Sequence, residues 1–153
     1  MTQDKIQIRN AAPTDITFIA ESQLLMAMET EQLQLDKETV FHGARAIFDD
    51  NTKGFYIIAE SADGIAGCLM ITPEWSDWRN AWMWWIQSVY VLPAFRKSGV
   101  FAQMYTHIQQ MAQQRSDVRG IRLYVDNTNL KAREVYKCVG MSDEHYRTFE
   151  WMK

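Results

Sequence analysis

"VYVLPAFRKSGVFAQMY", residues 89–105, is the stretch on which the fold turns. It opens as a β-branched and aromatic run, breaks at Pro93, crosses a short basic turn and resumes with apolar residues at helical spacing. A strand is thus joined to a helix through Arg96, Lys97, Ser98 and Gly99. A helix beginning near Ser98 offers first-turn N–H groups with no partner inside the helix, and a partial positive charge. Gly99 lets a ligand approach the backbone, while Arg96 and Lys97 add full charges at the rim, and together these make an anion site. The same residues equally suit an ordinary connection whose charges sit in water. Local chemistry leaves both readings open.

On either side the pattern alternates between the two periodicities. "KIQIR" (5–9) reads as a short strand. "AAPTDITFIAESQLLMAME" (11–29) follows as a helix with Pro13 and Asp15 near its start and Ile16, Ile19, Ala20 and Ala27 on one face. "DKETVFHGARAIFDD" (36–50) is a second, shorter helix. "GFYIIAE" (54–60) and "GIAGCLMIT" (64–72) are strands joined by the hairpin signal "SADG". "AWMWWIQSVYV" (81–91) is the longest strand. In "SGVFAQMYTHIQQMAQQ" (98–114), Val100, Met104, Ile108, Met111 and Ala112 form one apolar helical stripe, as a core-facing helix requires. A strand "GIRLYVD" (120–126), a helix "NLKAREVYKCVG" (129–140) stopped by Gly140, and a last strand in "EHYRTFEWM" (144–152) complete the chain. There are no repeats and no linker. This order implies an α/β (α+β) fold: a mixed sheet with helices on both faces.

Composition excludes several classes. A chain of 153 residues, 47% hydrophobic and 23% charged, is one ordinary globular domain with a sizeable core. A net charge of −3 gives no reason to expect nucleic acid, whose binders carry a basic excess. The polar start "MTQDKIQIRN" lacks the apolar core of a secretory signal, and no apolar run approaches the roughly 18 residues of a membrane span. Cys68 and Cys138 are too few for a disulfide framework and read as two reduced core thiols in a cytoplasmic protein. His42, His107 and His145 are scattered, so no metal is expected.

A second stretch, "NTNLKAREVYKCVGM" (127–141), places Asn129, Ala132 and Tyr136 at i, i+3 and i+7 of one helix face. A packed tyrosine and a capping asparagine would explain the pattern as structure. With the earlier turn it resembles something more specific. Strand, "RKSGVF" turn and helix, then strand and "N-x-x-A-x-x-x-Y" helix, is similar to the GCN5-related N-acetyltransferase (GNAT) family, and the element order resembles that fold from end to end, which implies a mixed, mostly antiparallel sheet of six to seven strands flanked by about four helices on both faces. In that family the turn runs Gln or Arg, two residues, Gly, one residue, Gly or Ala. Arg96 and Gly99 match; Phe101 stands where a small residue is expected, with Ala102 directly after it.

The resemblance implies that residues 1–153 form a single N-acetyltransferase domain. It implies acetyl-CoA as co-substrate, its pyrophosphate on the backbone amides of Ser98, Gly99 and Val100, with Arg96, Lys97 and Phe101 alongside. Val89 and Val91 would make main-chain contacts to the pantetheine arm, Tyr90 between them pointing the other way. Asn129, Ala132 and Tyr136 would complete the coenzyme site. The chemistry is attack of a neutral amine on the thioester, with the thioester oxygen polarised by a free N–H of the strand. The resemblance gives Tyr136 the leaving thiolate. Ordinary values of about 10 for a phenol and about 8.5 for a thiol make full proton transfer uphill by roughly 2 kcal/mol, so a strong hydrogen bond serves as well as a proton.

An alkyl ammonium must also lose a proton, and Glu31 is the expected base with Glu74 its rival. Five of six tryptophans fall in "EWSDWRNAWMWW". Trp82 and Trp84 face one side of the strand and Trp85 the other. Trp75 and Trp78 sit beside Glu74 and Asp77 in what reads as a loop, and aromatic faces with carboxylates suit a cationic amine. These expectations describe an N-acetyltransferase acting on a small primary amine or a peptide amino group, in the cytoplasm, as a homodimer, with no metal, nucleic acid or membrane partner. Two alternatives are an enzyme using a longer acyl-CoA and a non-catalytic CoA-binding sensor or interaction module, against which Tyr136 argues.

Overall fold

The structure, a computed structural model, describes residues 5–153, so the first four residues of the polar start "MTQDKIQIRN" lie outside the described residues. The elements in order are β1 (Gln7–Asn10), α1 (Ile16–Glu31), α2 (Lys37–Asp49), β2 (Phe55–Ser61), β3 (Gly64–Ser76), β4 (Ala81–Val91), α3 (Val100–Gln113), β5 (Val118–Leu123) and α4 (Leu130–Cys138). The five strands form one sheet in the order β1-β2-β3-β4-β5, and the first three pairings are antiparallel. The chain divides into two compact units, one ending at Arg122 and one running Leu123–Lys153.

The fold class stands as expected, with five strands among the described residues in place of six to seven. Residues 144–152 form no strand, despite the β-branched and aromatic character of "EHYRTFEWM". Phe149 and Trp151 there are 95% and 85% exposed, so that segment has no sheet face to bury itself on. β3 runs four residues further than the apolar pattern implies. Pro73 and the polar Glu74 break the alternation, yet Trp75 pairs with Trp82 and Ser76 with Ala81, so β3 and β4 make one long hairpin closed at 77–80.

Sequence dictates the layers. Ile19 of α1 and Ala44 of α2 pack with Tyr56, Ile58, Cys68 and Tyr90 on one face of the sheet. The alternate residues Ile57, Leu69 and Ile71 are fully buried and must face the other side. α3, with Val100, Met104 and Ile108 buried along its predicted stripe, packs against β1 and β2. Asp15, buried just before α1, accepts both arms of the Arg9 guanidinium (2.7 and 3.1 Å) and the Ala12 N–H (2.7 Å). Arg9 also donates to Glu60 on β2, which pins the chain entry to the sheet. Cys68 is a core thiol, pushed up to about 12 by burial against the opposing hydrogen bond from Ser22. Cys138 is exposed on α4, contrary to its expected place in the core.

Candidate active site

β4 changes its pairing in the middle. Cys68 opposes Tyr90 and Met70 opposes Gln87, so Leu69 faces both Ser88 and Val89. This is a β-bulge, with Ser88 at φ 55° in the left-handed region that costs a non-glycine residue energy. The buried Gln23 side chain of α1 donates to the Ser88 carbonyl at 3.4 Å. The bulge reverses the alternation of β4. Trp85 and Gln87 before it and Tyr90 after it all turn to the α1–α2 face, as cross-strand partners of Thr72, Met70 and Cys68 show. A bulged strand carries backbone groups that its neighbour cannot pair, which is what an extended ligand needs. Val89 and Val91 are partly buried on this segment, and Tyr90 points into the core as expected.

The chain leaves β4 through a single turn of tight helix at Pro93–Phe95. Lys97 (φ 63°) and Gly99 (φ 79°) are both left-handed, and the Ser98 hydroxyl donates to the Phe95 carbonyl at 2.6 Å. Gly99 caps α3, whose first turn closes with Gln103 N–H on the Gly99 carbonyl (3.0 Å). Alternating backbone hands turn successive N–H groups toward one point, and the helix adds its positive end there. A Cβ on Gly99 would meet no atom within 4 Å, so the turn is open on the side where a Gly99 side chain would project. Phe101, the residue out of pattern, is buried and stacks on Tyr105 with ring centroids 6.1 Å apart. Its bulk faces the interior, and the departure from the motif leaves the turn clear.

Arg96 occupies an unforeseen position. Its Nε donates to the Val91 carbonyl (2.9 Å) and its Nη2 to Glu29 Oε2 (2.8 Å), while the guanidinium lies 5.4 Å from the centroid of the Tyr90 ring. The Tyr90 hydroxyl donates to the other Glu29 oxygen at 2.9 Å. Burial pushes the Glu29 carboxyl up, but the Arg96 and Tyr90 hydrogen bonds outweigh it and hold the group below its ordinary range. Burial, reinforced by Glu29, pushes the Tyr90 phenol up. Glu29 joins Arg96 to Tyr90, a contact that the sequence does not signal. Nothing local separates it from Glu31, which is exposed at the end of α1.

Glu74 lies on the α1–α2 face of the sheet, accepting from Trp85 Nε1 (2.8 Å) and Arg122 Nη1 (3.2 Å). In the next row Gln87 donates its amide to the Thr72 hydroxyl. Trp75 does not join this group. It is on β3, not in a loop, and packs edge-on against Trp82 (5.0 Å), which places it on the opposite face from Glu74. Trp78 is 90% exposed in the hairpin turn. Trp84 shares the face of Trp82 and meets Phe55 and the Arg115 guanidinium.

In the second unit, Asn129 is the N-cap of α4, its Oδ1 accepting from the Ala132 N–H at 3.1 Å. Gly140 (φ 89°) ends the helix, with Gly140 and Met141 N–H groups returning to the Lys137 and Tyr136 carbonyls. Asn129, Ala132 and Tyr136 are all partly buried, whereas Leu130, Glu134, Val135 and Lys137 are exposed. The three therefore do share a face, and burial raises the Tyr136 phenol above its ordinary value. Among the described residues no group of three or more His, Cys, Asp or Glu side chains could hold a metal ion, and no helix is long and apolar enough to cross a membrane.

The sequence matches the family model described as Acetyltransferase (GNAT) family over residues 20–141. The chain belongs to the GNAT family. It is an acyltransferase of that family, and its bulged strand and left-handed turn lie within the matched segment. Its structure is similar to that of a possible acetyltransferase from Clostridium difficile 630, at 34% identity and TM-score 0.89 over 97% of each chain. The fold also resembles a predicted acetyltransferase with acetyl-CoA from Clostridium acetobutylicum, at 20% identity and TM-score 0.74 over 97% of this chain and 95% of that one. An aminoglycoside acetyltransferase from an uncultured soil metagenomic sample, in complex with sisomicin, shares the fold at 16% identity and TM-score 0.76 over 97% of this chain and 96% of that one. No curated protein matches the sequence.

Proposed function

We propose that this GNAT chain is, over residues 1–153, a single N-acetyltransferase domain that moves an acetyl group from acetyl-CoA to a primary amine. The observation that carries this reading is the bulge at Ser88 followed by the left-handed pair Lys97 and Gly99 at the start of α3. The bulge supplies a strand with backbone groups to spare, and the turn supplies converging N–H groups. An extended amide-bearing arm that ends in a diphosphate matches both. Val89 and Val91 then pair with the pantetheine arm, and Ser98, Gly99 and Val100 hold the pyrophosphate through their N–H groups, beside Lys97. In the reaction the amine nitrogen forms a bond to the acetyl carbon, the carbon–sulfur bond breaks, and sulfur leaves with the electron pair. Tyr136, raised by burial, is a phenol that stays protonated and donates a hydrogen bond to that sulfur.

The acceptor lies on the α1–α2 face. Glu74, held by Trp85 and Arg122, is a fixed carboxylate beside an indole and suits an ammonium ion. Glu31 is exposed at the end of α1 and is the proposed base, while Trp75 and Trp78 contribute to the outer hairpin. Two unpaired cysteines, one exposed, fit a reducing cytoplasm. The exposed Phe149 and Trp151 fit a homodimer contact, which sedimentation velocity measures. The deciding experiment is thiol release from acetyl-CoA across polyamines, amino acids, aminoglycosides and peptides. Release with at least one amine class, and acetylated product by mass, is the expected result. Tight coenzyme binding with no release from any amine would overturn catalysis in favour of a sensor.

A further inference from the structure

We infer that Glu29 is a positioning residue whose carboxylate clasps Arg96 and Tyr90, so that the Arg96 side chain shapes the coenzyme strand and turn from behind and does not itself hold the diphosphate. This rests on the coenzyme site proposed above and assigns its first basic residue a different task. Nε and Nη2 form one edge of the guanidinium fork, and both are used: one on the Val91 carbonyl, one on Glu29. One face of the fork covers Tyr90. A bidentate grip on a phosphate through that edge would require Arg96 to give up these partners, and a carboxylate 2.8 Å away offsets the charge with which the remaining N–H groups would attract it.

The connectivity explains what the clasp does. Glu29 belongs to α1, Tyr90 and Val91 to the end of β4, and Arg96 to the turn. Arg96 closes the chain back on Val91 across the Pro93–Phe95 turn and fixes where the left-handed segment starts. Glu29 then anchors that closed loop to the last turn of α1. An isolated exposed ion pair holds little. Here three hydrogen bonds, each with a charged partner, and a cation–π contact tie Glu29 and Arg96 to the Val91 carbonyl and to a Tyr90 side chain that is only 4% exposed. Lys97 is exposed and carries the other full charge of the turn.

The test compares coenzyme A with pantetheine, which has the same arm and no diphosphate, on the full chain. Calorimetry of E29A, R96A and the double variant reads affinity for coenzyme A, and competition reads pantetheine. A clasp predicts that each single variant weakens both ligands by a similar factor, about five- to tenfold. The double variant is then no weaker than R96A, and E29D recovers part of the loss. A direct phosphate ligand predicts that R96A weakens coenzyme A alone while E29A leaves it unchanged or tighter, and this would overturn the inference. Urea unfolding supplies a readout independent of ligand: the losses for E29A and R96A must be non-additive, and additive losses also overturn it. Wild-type protein that binds neither ligand would instead overturn the coenzyme site, and with it any role for the clasp there, even with non-additive unfolding.

Discussion

Replacing Gly99 by alanine separates the backbone of the turn from its ligand. The residue sits at φ 79° and ψ 17°, and an added Cβ would contact nothing within 4 Å. No steric clash enters the folded protein, so the stability cost is the left-handed penalty of an L-residue alone, about 1–2 kcal/mol. For a chain of this size that corresponds to a fall in Tm of about 3–6 °C. Coenzyme binding should suffer more. On the proposed site the added methyl group narrows the approach to the Gly99 backbone, and the strained left-handed residue misaligns the N–H groups. Charge-assisted hydrogen bonds of this kind are worth about 1.5–3 kcal/mol each, so losing one weakens coenzyme A by about ten- to a hundredfold. Calorimetric titration and thermal unfolding of G99A measure the two effects separately. The expected stability loss with unchanged coenzyme affinity would refute the phosphate cradle. Unchanged stability would refute the left-handed turn itself.

Asp15 offers a test of the scaffold. Its carboxyl is held below the ordinary range chiefly by the Arg9 hydrogen bonds, against desolvation, with help from the Ala12 N–H. A depressed folded-state value means the contribution is complete above the unfolded value near 4 and disappears as pH falls through the folded one. Unfolding free energy should therefore decline below about pH 4, and D15N should flatten that decline while costing about 2–3 kcal/mol at pH 7, where Arg9 loses its buried partner. Y136F should lower kcat by about 10²-fold with coenzyme A affinity within about twofold, because a phenol donor acts on sulfur only as charge develops; intact turnover would remove Tyr136 from the leaving-group role. E74Q should raise the KM for the amine about tenfold, roughly 1.4 kcal/mol, with little change in kcat, and an unaltered KM would place the acceptor elsewhere.

Elements with strong periodicity were legible in the sequence, and features created by pairing were not. The α3 stripe and the "SADG" hairpin follow from spacing that one face of a helix or one tight turn demands. The strand-to-helix joint was legible as well, since Pro93 ends the β-branched run and Gly99 stands directly before the helical stripe. β3 past Thr72 was hidden because Pro73 and Glu74 remove the apolar alternation, and only cross-strand pairing with Met83, Trp82 and Ala81 sustains the strand. The bulge at Ser88 was hidden for the same reason: one serine inside an apolar and aromatic run signals no break, and the extra residue exists only relative to Leu69. Trp75 and Glu74 were grouped as neighbours in sequence, although successive residues of a strand face opposite ways. Glu29 reaches Arg96 across 67 residues of chain, a contact set by the packing of α1 on β4 that no local pattern encodes.

Amide hydrogen exchange with and without coenzyme A reads the proposed site directly. Protection should rise at least tenfold in two separated segments, Val89–Val91 on β4 and Ser98–Val100 at the start of α3, while the β1–β2 pairing stays as it was. Coenzyme binding that leaves both segments unprotected, and slows exchange elsewhere, would contradict the assignment of the bulged strand and the left-handed turn.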